Sequence, residues 1–185
     1  TGMTGARALQ PGVLKGDILI NLDSETEGEL YVGCAGGLDC SAVFTYTTEA
    51  VPAGYVGQAL NVKGLVGGHS GMDIILYRAN ANKVLVRALL PLLRDLDARL
   101  INIEGGNMRN AIPASCEVVL TMPDEAVGEI TEIAAKYEAI FASEFEAIEE
   151  GITLRVEATD MPENVVPEEI QENLHPNRTS FRNQM

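Results

Sequence analysis

The spacing of apolar residues changes period several times along the chain, and each change marks an element. Residues 17–23, Asp-Ile-Leu-Ile-Asn-Leu-Asp, make a short, nearly continuous apolar run that ends on a polar residue. This pattern predicts a buried strand of an α/β sheet, where ligands collect at the carboxyl ends of strands. Three more acids and Gly28 break the run between Ser24 and Glu29, and the Gly- and Cys-rich residues 33–41 predict a turn or close-approach loop. A second unit is expected to begin near Ala42. Val43–Thr48 is β-prone, and Tyr55–Val62 predicts another strand after the breakers Pro52 and Gly54.

From about Asn80 to Leu100 the period becomes helical, with Ala81, Leu85, Ala88, Leu89, Leu92 and Leu96 on one side. Pro91 falls inside this helix and predicts a kink near Arg87. Ile101–Glu104 reads as a strand ended by Gly105 and Gly106, and Cys116–Thr121 as the next. Pro123, with Asp124 and Glu125 beside it, suits a first helical turn. That helix is expected to run to about Ile148, with Val127, Ile130, Ala134, Tyr137, Phe141, Phe145 and Ile148 as its apolar stripe, and to stop at Gly151. Residues 152–158 alternate: Ile152, Leu154, Val156 and Ala158 inward, Thr153, Arg155 and Glu157 outward. Beyond Asp160 there is no periodic pattern.

The order from residue 43 is thus strand, strand, helix, strand, strand, helix, strand. It predicts an α/β domain of α+β type, in which a mostly antiparallel sheet of four or slightly more strands carries both helices on one face.

Composition narrows the function classes. With 46% hydrophobic and 22% charged residues the chain is globular rather than disordered. The net charge of −14 is concentrated: residues 121–172 hold fifteen acids against two bases. A strongly acidic half argues against nucleic acid as a partner, and a solvated acidic face is the better reading. No run approaches the ~20 apolar residues of a membrane span, and no signal peptide is visible at the start. Cys34, Cys40 and Cys116 are odd in number and lack zinc-knuckle spacing, so they read as apolar residues or free thiols of a reducing compartment.

Two positions stand out as candidate chemistry. Asp23, at a strand end with Glu25, Glu27 and Glu29 beyond it, is a possible metal or catalytic carboxylate, although acids at such transitions are usually solvated. His69 is bracketed by Gly67, Gly68, Ser70 and Gly71, which leaves its imidazole exposed rather than packed; the plainer alternative is a histidine on a floppy surface loop. The glycine cluster lacks the Lys-Ser/Thr ending of a phosphate loop, so nucleotide binding is poorly supported. Two histidines, one of them in the unpatterned tail, do not easily build a histidine-rich metal centre within this chain.

Seven blocks occur in order: Met3-Thr-Gly-Ala6, Ile18-Leu-Ile-Asn-Leu-Asp-Ser24, Glu27-Gly-Glu29, Gly33-Cys-Ala-Gly-Gly37, Gly67-Gly-His-Ser-Gly71, Arg78-Ala-Asn-Ala-Asn-Lys83 and Gly105-Gly-Asn-Met-Arg-Asn-Ala-Ile-Pro113. Together they resemble the aminoacyl-histidine dipeptidases, cytosolic non-specific dipeptidases of the zinc aminopeptidase and carnosinase-like superfamily, as far as roughly Leu174. The resemblance implies a catalytic domain interrupted by a lid that often mediates homodimerisation, two zinc ions bridged by an Asp and a water, a Glu general base, dipeptide substrates and a cytoplasmic location. It divides the chain into residues 1–42, the end of the first catalytic segment; 43–160, the lid; and 161–185, an irregular tail. Asp23 matches a metal-binding Asp. His69 matches a lid histidine that polarises the substrate carbonyl or steadies the tetrahedral intermediate, commonly in the partner subunit's site. Arg78, Asn80 and Asn110 match lid positions that hold the dipeptide carboxylate or shape the cleft.

Departures are equally plain. The pair of glutamates that includes the general base would fall immediately before Thr1, the first histidine ligand and bridging Asp further upstream, and the last histidine ligand well downstream. Thr26 stands where relatives usually carry an acid, and the tail from His175 does not resemble the family. The chain by itself is therefore expected to be an inactive fragment with no zinc or weak zinc binding. The alternative is a stand-alone dimerising interaction or small-molecule-binding module, but such a module has no need of residues 1–42.

Overall fold

The computed structural model describes residues 4–23, 26–33, 36, 38 and 40–172. These fall into two compact units, divided between Val43 and Phe44.

In the first unit the regular structure among the described residues is one helical turn, α1 (Thr4–Arg7). The strand expected over residues 17–23 is not formed. Ile18, Leu19, Ile20 and Leu22 are 74–88% exposed, and the described residues of this unit form no ladder with them. A strand exists only by pairing, so an apolar run without a neighbouring strand stays irregular.

In the second unit the elements follow in order: β1 (Glu49–Ala50), β2 (Tyr55–Lys63), β3 (Gly68–His69), α2 (Ala81–Asp95), β4 (Arg99–Gly105), β5 (Ala111–Ile112), β6 (Cys116–Pro123), α3 (Val127–Glu144), β7 (Thr153–Ala158), β8 (Asn164–Val165) and α4 (Glu168–Glu172). The β-prone segment 43–48 forms no strand. Val43 and Phe44 lie exposed, and the chain pairs only from Glu49, through two residues of β1 against β8.

The main sheet has spatial order β4-β6-β2-β7 and every pairing is antiparallel. Alternate residues project to one face. Leu60 and Val62 of β2, Val118, Leu120 and Met122 of β6, and Leu154 of β7 join a single core with the apolar sides of α2 and α3. Both helices therefore cover the same face, as the patterning requires. The inward stripe of α2 is Ala81, Val84, Leu85, Ala88, Leu89 and Leu92, and that of α3 centres on Ile130, Ala134 and Phe141. The two helices are joined by Arg87, whose guanidinium donates to both oxygens of Glu144 at 2.8 and 3.0 Å and lies 4.7 Å from the Phe141 ring centroid. Helix α2 runs uninterrupted through Pro91.

Asn80 starts α2 as its N-cap: the side-chain oxygen accepts from the N–H groups of Asn82 and Lys83 at 3.0 and 3.3 Å. The helix ends sooner than its pattern suggests, because Asp97 takes a left-handed conformation at φ 50° and the Ala98 N–H turns back to the Leu92 carbonyl. Residues 161–172, which lack a periodic pattern, are nonetheless built into the unit. Gln171 is buried and binds the start of β4 and the residue before it through both ends of its amide, accepting from the Leu100 N–H at 2.8 Å and donating to the Ala98 carbonyl at 2.9 Å. The atypical tail from His175 lies outside the described residues.

Candidate functional site

Strand β2 ends at Lys63 and helix α2 begins at Ala81. The connection between them carries His69 and is organised by hydrogen bonds to charged groups. Asp73 Oδ2 accepts from the His69 backbone N–H at 2.7 Å and from Arg78 Nη1 at 3.0 Å. The same Nη1 also donates to the Gly67 carbonyl at 2.6 Å. Aspartate, arginine and the glycine turn thus close on one another. Gly68 lies at their centre with φ 145°, and a Cβ there would meet Arg78 Nη1 and stand 2.5 Å from Asp73 Oδ2. Only glycine fits this position.

The imidazole of His69 is exposed but not free to turn. Its Nδ1 accepts from the N–H groups of Gly71 and Met72 at 3.1 and 3.2 Å. An accepting Nδ1 carries no proton, so the neutral ring has its hydrogen on Nε2. Among the described residues nothing accepts from that N–H. The loop thus presents an oriented hydrogen-bond donor to whatever approaches it. Such a donor is suited to a carbonyl oxygen that gains negative charge, and its fixed orientation removes part of the ordering penalty.

A second segment braces the loop from the side. β3 pairs with β5, Gly68 opposite Ile112 and His69 opposite Ala111, and the Ser70 N–H donates to the Asn110 carbonyl at 2.9 Å. The residues singled out in the sequence therefore separate into groups. His69 and Arg78 are brought together, and Asn110 reaches the loop through its backbone. Asn80 sits at the start of α2 with its side-chain oxygen engaged in capping. Asp23 belongs to the other unit, where it is exposed and its N–H donates locally to Asn21 Oδ1 at 2.9 Å. Among the described residues no three His, Cys, Asp or Glu side chains converge as metal ligands.

Beside the loop, a cavity of about 570 Å³ opens where the ends of β2, β4 and β6 meet the β3–β5 pair. Gly67, Gly68 and Ser115 line it together with Asn61, Lys63, Glu104 and Glu117, so its wall is mixed in charge. The His69 side chain is not part of that wall. Cys116 also lines the cavity, but burial pushes its thiol up to about 11. It is a protonated, packed sulfhydryl rather than a nucleophile.

Asp73 and Glu149, which the sequence reading passed over, prove central to the loop. Asp73 left a readable trace, an acid four residues after His69 and five before Arg78. Glu149 left none, since the N–H groups it binds are those of Val66 and Ala79, 83 and 70 residues away.

Comparison with known proteins adds a frame for this geometry. Residues 60–149 match the family described as Peptidase dimerisation domain. A cytosol non-specific dipeptidase of Escherichia coli (strain K12) is 43% identical over 157 residues, which is 85% of this chain and 32% of that protein. The crystal structure of an aminoacylhistidine dipeptidase from Vibrio alginolyticus matches with a TM-score of 0.71 at 38% identity, over 94% of this chain and 36% of that one. The chain spans about a third of the length of these relatives.

Proposed function

This chain is homologous to the cytosol non-specific and aminoacylhistidine dipeptidases over about a third of their length, and from that premise we propose that it serves a cytoplasmic dipeptidase as its lid. In this reading residues 43–160 form the lid, which also pairs two subunits, and residues 1–42 are the end of the first catalytic segment. The substrate is a dipeptide such as aminoacyl-histidine. The observation that carries the proposal is the His69 imidazole, held by two backbone N–H groups with its Nε2–H facing outward.

His69 donates that hydrogen to the oxygen of the scissile carbonyl, and the bond strengthens as the tetrahedral intermediate forms. Arg78 and Asn80 hold the dipeptide carboxylate or shape the cleft; with Arg78 Nη1 on Asp73 and Gly67 and the Asn80 oxygen capping α2, any hold on a carboxylate falls to the other guanidinium N–H groups and to the Asn80 NH₂. Asn110 contributes the carbonyl that fixes Ser70.

A pair of zinc ions is what the resemblance leads one to expect of the whole enzyme. The described residues do not assemble such a centre: Asp23 is one carboxylate, and tetrahedral zinc takes four ligands. We assign Asp23 as one ligand of a centre completed by other parts of a longer polypeptide.

The test is complementation in full-length protein. His69→Ala should lower kcat about a hundred- to a thousand-fold, the range for one oxyanion donor, with little change in KM. Mixing this mutant with one that lacks the general base should restore partial activity if His69 serves the partner subunit's site. Near-wild-type activity of the His69→Ala dimer would remove the catalytic role; a dead mutant that never complements despite verified subunit exchange would place the histidine in its own subunit's site.

A further inference from the structure

Glu149 is 3% exposed, and it lies in the most acidic stretch of the chain. A carboxylate so deeply buried is tolerated only when charge-assisted hydrogen bonds replace its water. Both oxygens are engaged: Oε2 accepts from the Val66 N–H at 2.7 Å and Oε1 from the Ala79 N–H at 2.9 Å. These two amides are the two ends of the connection that carries His69. The bonds are nested, with Glu149 joining 66 to 79, Arg78 joining 78 to 67, and Asp73 joining 73 to 69.

The approach of Glu149 to this loop is built into the backbone. After α3 the chain turns through the Ile148 and Glu149 N–H groups, both bonded to the Phe145 carbonyl. It then passes Gly151 directly against Gly64, which has φ 84° and where a Cβ would strike the Gly151 carbonyl oxygen. This contact between two glycines lets the end of one helix come close to the start of a loop 83 residues earlier.

We infer that Glu149 is a positioning residue for His69: its carboxylate pins both ends of the 66–79 loop and so holds the imidazole donor in place. The inference rests on the reading of His69 given above for its catalytic consequence, but the clamp itself can be measured without activity. A neutral glutamine has the wrong donor pattern here. Both partners are N–H groups, so the Gln oxygen accepts from one while its NH₂ faces the other.

The experiment is residue-resolved amide exchange on the 185-residue chain. In the wild type the Val66 and Ala79 amides should both be protected, and in Glu149→Gln their exchange should rise about ten- to a hundred-fold, as expected when a bond to a charged acceptor is lost. The Gly71 and Met72 amides, which bind the imidazole, should follow them. Glu149→Asp keeps the charge but is one methylene too short to span both amides, so it should be intermediate; Glu146→Gln, at an exposed acid, should change nothing. In the full-length enzyme Glu149→Gln should lower kcat about ten-fold or more while KM stays within about three-fold. Coil-like exchange of Val66 or Ala79 in the wild type overturns the clamp and needs no variant. Faster exchange at Val66 and Ala79 that leaves Gly71, Met72 and kcat unchanged overturns the positioning role. If His69→Ala were fully active, the catalytic reading would fall, and the four amides would still decide whether Glu149 holds the loop.

Discussion

Replacing Asn80 separates the two roles the sequence left open for it. In the structure its side-chain oxygen accepts from two of the first free N–H groups of α2, at 3.0 and 3.3 Å. Removing an N-cap of this kind typically destabilises by about 0.5–2 kcal/mol. The upper half of that range applies here, because α2 supplies six buried residues to the core and fraying its first turn would loosen Ala81 and Val84. Asn80→Ala should therefore lose about 1–2 kcal/mol, or roughly 2–8 °C in Tm for a domain of this size. Asn80→Asp should lose almost nothing, since Asp caps equally well and its charge suits a helix N-terminus. Urea melts of the 185-residue chain give the first numbers, and kcat and KM for a dipeptide in full-length protein give the second. If the side chain only caps, Asn80→Asp keeps its KM. A stable Asn80→Asp enzyme whose KM rises more than about ten-fold would mean a carboxylate now repels the substrate's own. An Asn80→Ala chain as stable as the wild type would refute the capping argument outright.

Gly68→Ala should distort the loop by forcing a methyl group between Arg78 and Asp73 at φ 145°; a loss of about 1–3 kcal/mol, together with faster exchange of the Gly71 and Met72 amides, is the expected signature. Phe141→Ala should destabilise by about 3–5 kcal/mol in denaturant melts, because the ring is fully buried between the helices and the sheet; a loss below about 1.5 kcal/mol would mean the core closes over the gap. Cys116 should resist alkylation at pH 8 while the exposed Cys40 reacts, because burial raises the Cys116 thiol from 9.0 to about 11. The unfolded thiol ionises first, so this contribution to stability is complete below pH 9 and is lost as the pH rises through 11; the same decline, beyond that from other groups, should vanish in Cys116→Val.

Much of the second unit was legible in advance. β2, β4, β6 and β7 fall within a residue or two of their expected places, because β-prone runs bounded by Pro or Gly are set by consecutive residues whatever their partners. The stripe from Ala81 to Leu92 is buried as its spacing requires. The two missing strands have one cause. Residues 17–23 and 43–48 have the composition of strands, but a ladder needs a neighbour, and the described part of the chain offers them none. In the opposite sense, residues 161–172 have no period to read, and yet the two ends of the Gln171 amide and the Val166 N–H dock them along β4 and its preceding residue.

The candidate site divides in the same way. Local sequence identified His69 and the glycines around it, since tight turns restrict residue choice at neighbouring positions and leave a dense motif. It determined the two helices and the four strands of the main sheet as well, because periodicity and β-propensity are properties of consecutive residues. Only the tertiary structure decided which nitrogen of His69 carries the hydrogen, as that depends on where the Gly71 and Met72 amides point. Only the tertiary structure, likewise, turned Asn80 into a cap and Glu149, one acid among the fifteen in residues 121–172, into the clamp of a distant loop. A carboxylate's role is set by the donors it meets, and those donors are backbone amides brought to it from 70 and 83 residues away, which leave no mark in the identity of the residues that carry them.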